Sequence, residues 1–146
     1  MSILYSKFQI LGGLPPYDNS AMRKDIQPKS AVTLTEGDIV DVENAAGIEV
    51  VDKMTSTAVA GGQPPNQPWL VIEGNDQGDG AMANKCTCVK LKTGLIFQIE
   101  TSESFTIGDL CQSIAGVVKP LTGADEQAIG QIIGVNASAS TVVIAS

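Results

Sequence analysis

Apolar and polar positions alternate along this chain in short stretches rich in β-branched residues, at 31–35, 39–42, 48–51, 69–73, 85–90, 95–101, 115–118, 130–135 and 141–145. That period of two is the signature of strands that bury one face, and its recurrence at short intervals predicts a sandwich or barrel. The reading is an all-β fold: an antiparallel β-sandwich or barrel-like (jelly-roll-like) single domain over residues 31–146. No window keeps a helical stripe for three turns without a glycine; the best, 124–133, is interrupted by Gly130 and predicts one short helical turn. Residues 1–30 read differently. Gly12-Gly13-Leu14-Pro15-Pro16-Tyr17 breaks a strand and Pro28 disfavours helix before it, so this segment is expected to be an extended N-terminal arm. Its first stretch, 3–10, is placed to pair as an edge strand with the body or a neighbour.

The body contains an internal echo. Leu34-Thr35-Glu36-Gly37-Asp38-Ile39-Val40, then Ala46-Gly47-Ile48, resembles Phe105-Thr106-Ile107-Gly108-Asp109-Leu110-Cys111, then Ala115-Gly116-Val117. The glycines repeat at offsets of 71 and 69 residues, and each copy leads on to a strand with a nearby glycine, 69–74 and 129–134. A Gly-Asp pair before an apolar strand forms a turn in which Gly takes positive φ and Asp bonds a nearby amide. Two such hairpins predict a duplicated β body.

Composition narrows the function. Of 146 residues, 43% are apolar and only 4% aromatic, so the core is built from Val, Ile, Leu and Ala. The net charge of −7 opposes nucleic-acid binding, because an excess of carboxylates repels the phosphate backbone. Residues 1–30 carry four basic against two acidic side chains, and residues 31–146 five against fourteen: a basic arm precedes an acidic body. Apolar runs of about five residues fall far short of the roughly 20 that span a bilayer as helix. The first residues lack a secretory signal pattern, and three cysteines, an odd number, do not make a disulfide framework. Synthesis in a reducing cytoplasm without export is expected.

Catalytic and metal chemistry find little purchase. Histidine is absent, which removes the usual base of Ser-His-Asp and Cys-His catalysis and the commonest metal ligand. Neither a phosphate-cradling Gly-Lys-Ser/Thr loop nor a dinucleotide fingerprint occurs. Cys86, Cys88 and Cys111 are too few for a structural zinc site and read as buried small hydrophobes. Gly74-Asn75-Asp76-Gln77-Gly78-Asp79-Gly80 mimics a calcium loop, but Cys86 stands where the bidentate Glu is required. The carboxylates Asp38, Asp41, Glu100 and Glu103 read as solvated surface, the proline-rich stretches as stiff connections, and Trp69 as a core or interface anchor. No cofactor, metal or catalytic residue is expected, and no enzyme.

From Gly37-Asp38-Ile39-Val40 through the strand at 95–100, Phe105-Thr106-Ile107-Gly108-Asp109, Ala115-Gly116-Val117-Val118, Ile129-Gly130-Gln131-Ile132-Ile133-Gly134-Val135 and the terminal 141–144, the order of elements resembles the decoration, or cement, proteins of tailed-phage capsids. The resemblance implies a non-enzymatic virion protein on the outer capsid surface. It would bind the major capsid protein and itself, as a homotrimer in preference to a dimer, and reinforce joints between capsomers. The arm is longer than in the shorter members. Its Lys7, Phe8, Leu14, Tyr17, Arg23, Lys24 and Lys29 are the candidate contacts to capsid or neighbouring subunit. A tail-tube or baseplate β protein is the alternative of the same composition. Ala115-Gly116-Val117-Val118 also resembles a motif of trimeric dUTP-hydrolysing enzymes, but Lys119 and Pro120 follow where that motif continues with an acid, and no Tyr occurs after Tyr17.

Overall fold

The computed structural model describes residues 8–13, 22–29, 32–54, 68–75, 84–91, 94–121 and 128–146. Eleven strands run through them: β1 (Gln9–Gly12), β2 (Met22–Pro28), β3 (Ile39–Ala45), β4 (Ile48–Lys53), β5 (Trp69–Glu73), β6 (Cys86–Lys90), β7 (Ile96–Glu100), β8 (Leu110–Ile114), β9 (Val117–Pro120), β10 (Gly130–Asn136) and β11 (Thr141–Ala145). The protein is all-β, with two sheets packed together. Among the described residues no helix is long and apolar enough to cross a membrane.

One sheet is a closed barrel in the order β2-β4-β3-β5-β6; the other is six-stranded, β1-β7-β11-β10-β8-β9. Opened at its β2–β4 seam, the barrel reads β2-β6-β5-β3-β4, and the second sheet inside β1 reads β7-β11-β10-β8-β9. Each strand of the first unit thus has its counterpart five strands later, and the sequence echo is a duplication of the whole five-strand unit.

The duplication extends to single hydrogen bonds. Asp38 Oδ2 accepts from the Thr35 amide at 2.9 Å and Asp109 Oδ2 from the Thr106 amide at 2.8 Å. The Gly37 amide donates to the Val71 carbonyl (2.9 Å) and the Gly108 amide to the Ile132 carbonyl (2.8 Å). Gly37 and Gly108 hold φ of 93° and 101°, which a side chain would oppose. The hairpin turns match too, Ala46-Gly47 at 53° and 86°, Ala115-Gly116 at 53° and 81°. Positive φ at both central residues defines the type I′ turn, whose twist fits antiparallel strands. Even the irregularity recurs, with a register shift between Val71 and Glu73 in β5 and between Ile132 and Gly134 in β10.

The units differ at their seams. In the first, β2 closes the barrel by parallel pairing with β4, Gln27 opposite Val50 and Pro28 opposite Val51. In the second, β1 takes the corresponding edge of β7, antiparallel, and β9 stays a sheet edge. Lys119 and Pro120 stand on that edge, a charge and a residue without an amide to donate, which discourages stray strand pairing.

Two clusters form the interior. A smaller one lies inside the barrel: Ile26, Leu34, Val40, Val51, Trp69, Val71, Cys86 and Cys88. The larger joins the units, with Ile39, Met54, Leu70 and Val89 from the first packed with Phe97, Ile99, Cys111, Ile132 and Ile144 from the second.

Three expectations need correction. The described part of segment 1–30 is not an extended arm: β1 pairs at the edge of the six-stranded sheet at Gln9 and Ile10, as expected of 3–10, but β2 is an integral barrel stave. The strand expected at 31–35 is absent over 32–35. That segment is pinned instead by Asn75, whose Oδ1 accepts from the Leu34 amide (2.7 Å) and whose Nδ2 donates to the Val32 carbonyl (3.2 Å). Finally, 130–133 of the expected helical turn lies in β10, where pairing with β8 and β11 overrides the local pattern; 124–127 falls outside the described residues.

Candidate interaction surface

Arg23 and Lys29, from the first thirty residues, serve the barrel's own acidic hairpin. Arg23, on β2, lies 5.9 Å from the centroid of the Trp69 ring and 3.6 Å from Glu49 Oε1. Lys29 Nζ sits 3.3 Å from Glu43 Oε2 and 3.7 Å from Asp52 Oδ2. The hydrogen bond and charge of Glu43, with Asp52 behind it, push the Lys29 pKa above its ordinary value. Lys24 is placed only by its backbone in β2. Phe8 is half-buried against the main core beside Gly37 and Ile99, lining a shallow cavity of about 210 Å³ with Val117 and Val118. Lys7, Leu14 and Tyr17 lie outside the described residues. Of the seven predicted contact residues, the structure thus brings Arg23 and Lys29 to one hairpin and Phe8 to the seam between the units.

Burial of Asp41 on β3, reinforced by the neighbouring Glu43 charge, raises its carboxyl pKa. A carboxylate with a folded pKa above its unfolded value costs stability once ionised: the penalty is absent below about pH 4, grows as pH rises through the folded value and persists at neutrality. Asp41→Asn is therefore expected to raise the urea midpoint at pH 7, and not at pH 3.5. Because Asp41 is only part-buried, the gain should be under about 1 kcal/mol.

The other candidates of the sequence are structural. Cys86 and Cys88 are buried in the barrel and Cys111 in the shared core, all three free. Burial pushes the thiols up, to about 11 for Cys86 and about 12 for Cys88 and Cys111, so they stay protonated and unreactive at neutral pH. Asn75 of the calcium-like loop is engaged with Val32 and Leu34, and Asp76–Gly80 lies outside the described residues. Glu103 pairs with Lys119. Trp69 is buried in the barrel. No group of three or more metal-binding side chains occurs among the described residues.

Sequence reasoning passed over the exposed aliphatics. Leu110 and Ile114 on β8, Val117 on β9, Ile133 and Val135 on β10, and Ile107 in the preceding turn are all exposed, on neighbouring strands of the second unit. Scattered apolar residues on a surface are ordinary, but these six fall in one turn and three adjacent strands of one sheet, which makes this part of the surface the candidate for contact. A signal was present in the echo itself, since Ile107 stands where the first copy has Glu36.

Compared with known protein families, curated proteins and solved structures, the chain matches none.

Proposed function

We propose that this chain is a virion structural protein that decorates the outside of a tailed-phage capsid and reinforces contacts between capsomers. The observation that carries the reading is the aliphatic face of the second unit, Ile114, Val117 and Ile133, presented on paired strands. Such a face binds a preformed surface with little ordering cost, because the backbone that presents it is already fixed by sheet hydrogen bonds. The described pockets, of about 210 and 280 Å³, are open depressions flanked by turns, suited to contact and not to enclosing a substrate. The resemblance of the sequence's order of motifs to that of capsid cement proteins supports the same reading.

Particles from the phage that encodes the chain provide the test. The protein is expected in fixed ratio to the major capsid protein, on the outer shell by electron microscopy, with particles lacking it losing DNA at lower temperature. Its presence in the tail alone, or its absence from purified particles, would overturn the proposal.

A further inference from the structure

The duplicated units are joined by a plug and a socket. The plug is the β8–β9 turn of the second unit, Ala115-Gly116. The socket is the open end of the β3–β4 hairpin of the first, where Ile39 and Met54 are buried at 0% and 1% exposure. The Ile39 amide donates to the Gly116 carbonyl at 3.0 Å, and the Gly116 amide donates to the Met54 carbonyl at 2.9 Å. Val117, beside the plug, shares a cavity with Thr35, Glu36, Gly37 and Asp38 of the socket unit.

Each half of this junction has a counterpart elsewhere in the chain, and both counterparts are open. The equivalent plug is the Ala46-Gly47 turn: it is exposed, a Cβ on Gly47 would meet nothing within 4 Å, and Ile48 beside it is 57% exposed. The equivalent socket is the open end of the β8–β9 hairpin, at Leu110 and Leu121. The Leu121 amide donates to the Leu110 carbonyl at 3.0 Å, as the Met54 amide donates to Ile39 in the first unit. Yet Leu110 is 46% exposed where Ile39 is fully covered, and Ile107, at the position of Glu36, is 65% exposed. Within the chain the plug flank meets Glu36; at the open pair, Ile48 would meet Ile107, two aliphatics that solvent otherwise wets.

We propose that copies of this chain bind one another head to tail, the Ala46–Gly47 turn and Ile48 of one copy seated against Ile107, Leu110 and Leu121 of the next. The contact repeats between chains the turn-on-hairpin part of the junction within each chain; the shared core is not repeated, because Val40 and Val71, the counterparts of Cys111 and Ile132, are enclosed in the barrel. A second copy is the occupant because the Ala46–Gly47 turn matches the seated Ala115–Gly116 turn in residue type and backbone angles, and Leu110 and Leu121 repeat the hydrogen bond of Ile39 and Met54. Such a contact is heterologous, each copy offering a plug and a socket, and it closes into a ring when the unit-to-unit rotation divides the circle. In a ring of three copies, six units would follow one another around the axis. The association needs no capsid and stands or falls apart from the capsid role.

Analytical ultracentrifugation of the purified full chain, without particles, tests it. The unaltered protein is expected to sediment as a closed oligomer. I48K blocks the plug and I107K the socket, at side chains more than half exposed, and each should weaken association about 100-fold and give monomers. An equimolar mixture of the two retains one intact plug and one intact socket per pair, so it should stop at dimers. The double variant I48K/I107E places Lys against Glu at every junction and should restore the oligomer. A monomeric unaltered protein, single variants that keep the original mass, or a mixture that fails to dimerise would each overturn the proposal.

Discussion

A chain lacking residues 1–30 is expected to lose the barrel. β2 pairs with β6 through Met22, Arg23 and Ile26 and with β4 through Gln27 and Pro28, and its Ile26 is buried in the barrel core. Without it, β4 and β6 become two open edges facing each other across a gap, and the core around Trp69 and Leu34 is exposed on that side. Losing a whole stave sacrifices two ladders and a core side chain, a loss on the same scale as the roughly 5–15 kcal/mol that holds a typical domain folded. Trp69 is the only tryptophan and sits in this barrel, so its emission reports on the barrel specifically. The truncated chain should show red-shifted emission and aggregation through the unpaired edges. Removing residues 1–7 alone leaves every described strand in place, and native emission is expected. Native emission from the longer truncation would mean that β2 is dispensable.

Gly116→Ala should cost about 2–3 kcal/mol, and Gly47→Ala only about 1 kcal/mol, although the two glycines occupy the same turn position. The backbone cost is shared: φ is 81° at Gly116 and 86° at Gly47, and a side chain in that left-handed region costs about 1–2 kcal/mol. The surroundings separate them. A Cβ on Gly116 would lie 3.1 Å from Lys53 Cγ, 3.2 Å from Lys53 Cβ and 3.3 Å from the Ile39 carbonyl oxygen, so Lys53 and the turn must shift apart by a small amount against the Ile39 backbone. Gly47 has open space in the same direction. Urea midpoints followed by Trp69 emission, in an I48K background that removes self-association, give the difference directly. Equal losses at the two positions would show that the junction between the units carries no stability of its own.

The chain's local pattern was sufficient for its β character and for the duplication. The stretches at 39–42, 48–51, 69–73 and 141–145 all fall in strands, although β3 and β5 bury both faces, Val40, Trp69 and Val71 inside the barrel and Ile39 and Leu70 in the shared core, and the Gly-Asp echo specifies its turn through local geometry alone, since positive φ and an Asp-to-amide bond need no distant partner. What required tertiary structure has a common physical cause. Met22–Pro28, with three charges and a terminal proline, has no strand pattern of its own; β4 and β6 make it a strand, and Glu49 and Trp69 accommodate Arg23. Residues 32–35 have the pattern but lose their ladder to Asn75, 41 positions from Leu34. Leu110 and Ile39 are near-identical letters in near-identical motifs, and one is half-exposed while the other is sealed. Ile39 is covered by the core shared between the units and by the seated Gly116 turn, and Leu110 has no such cover among the described residues, because exposure is decided by what arrives from elsewhere in the chain.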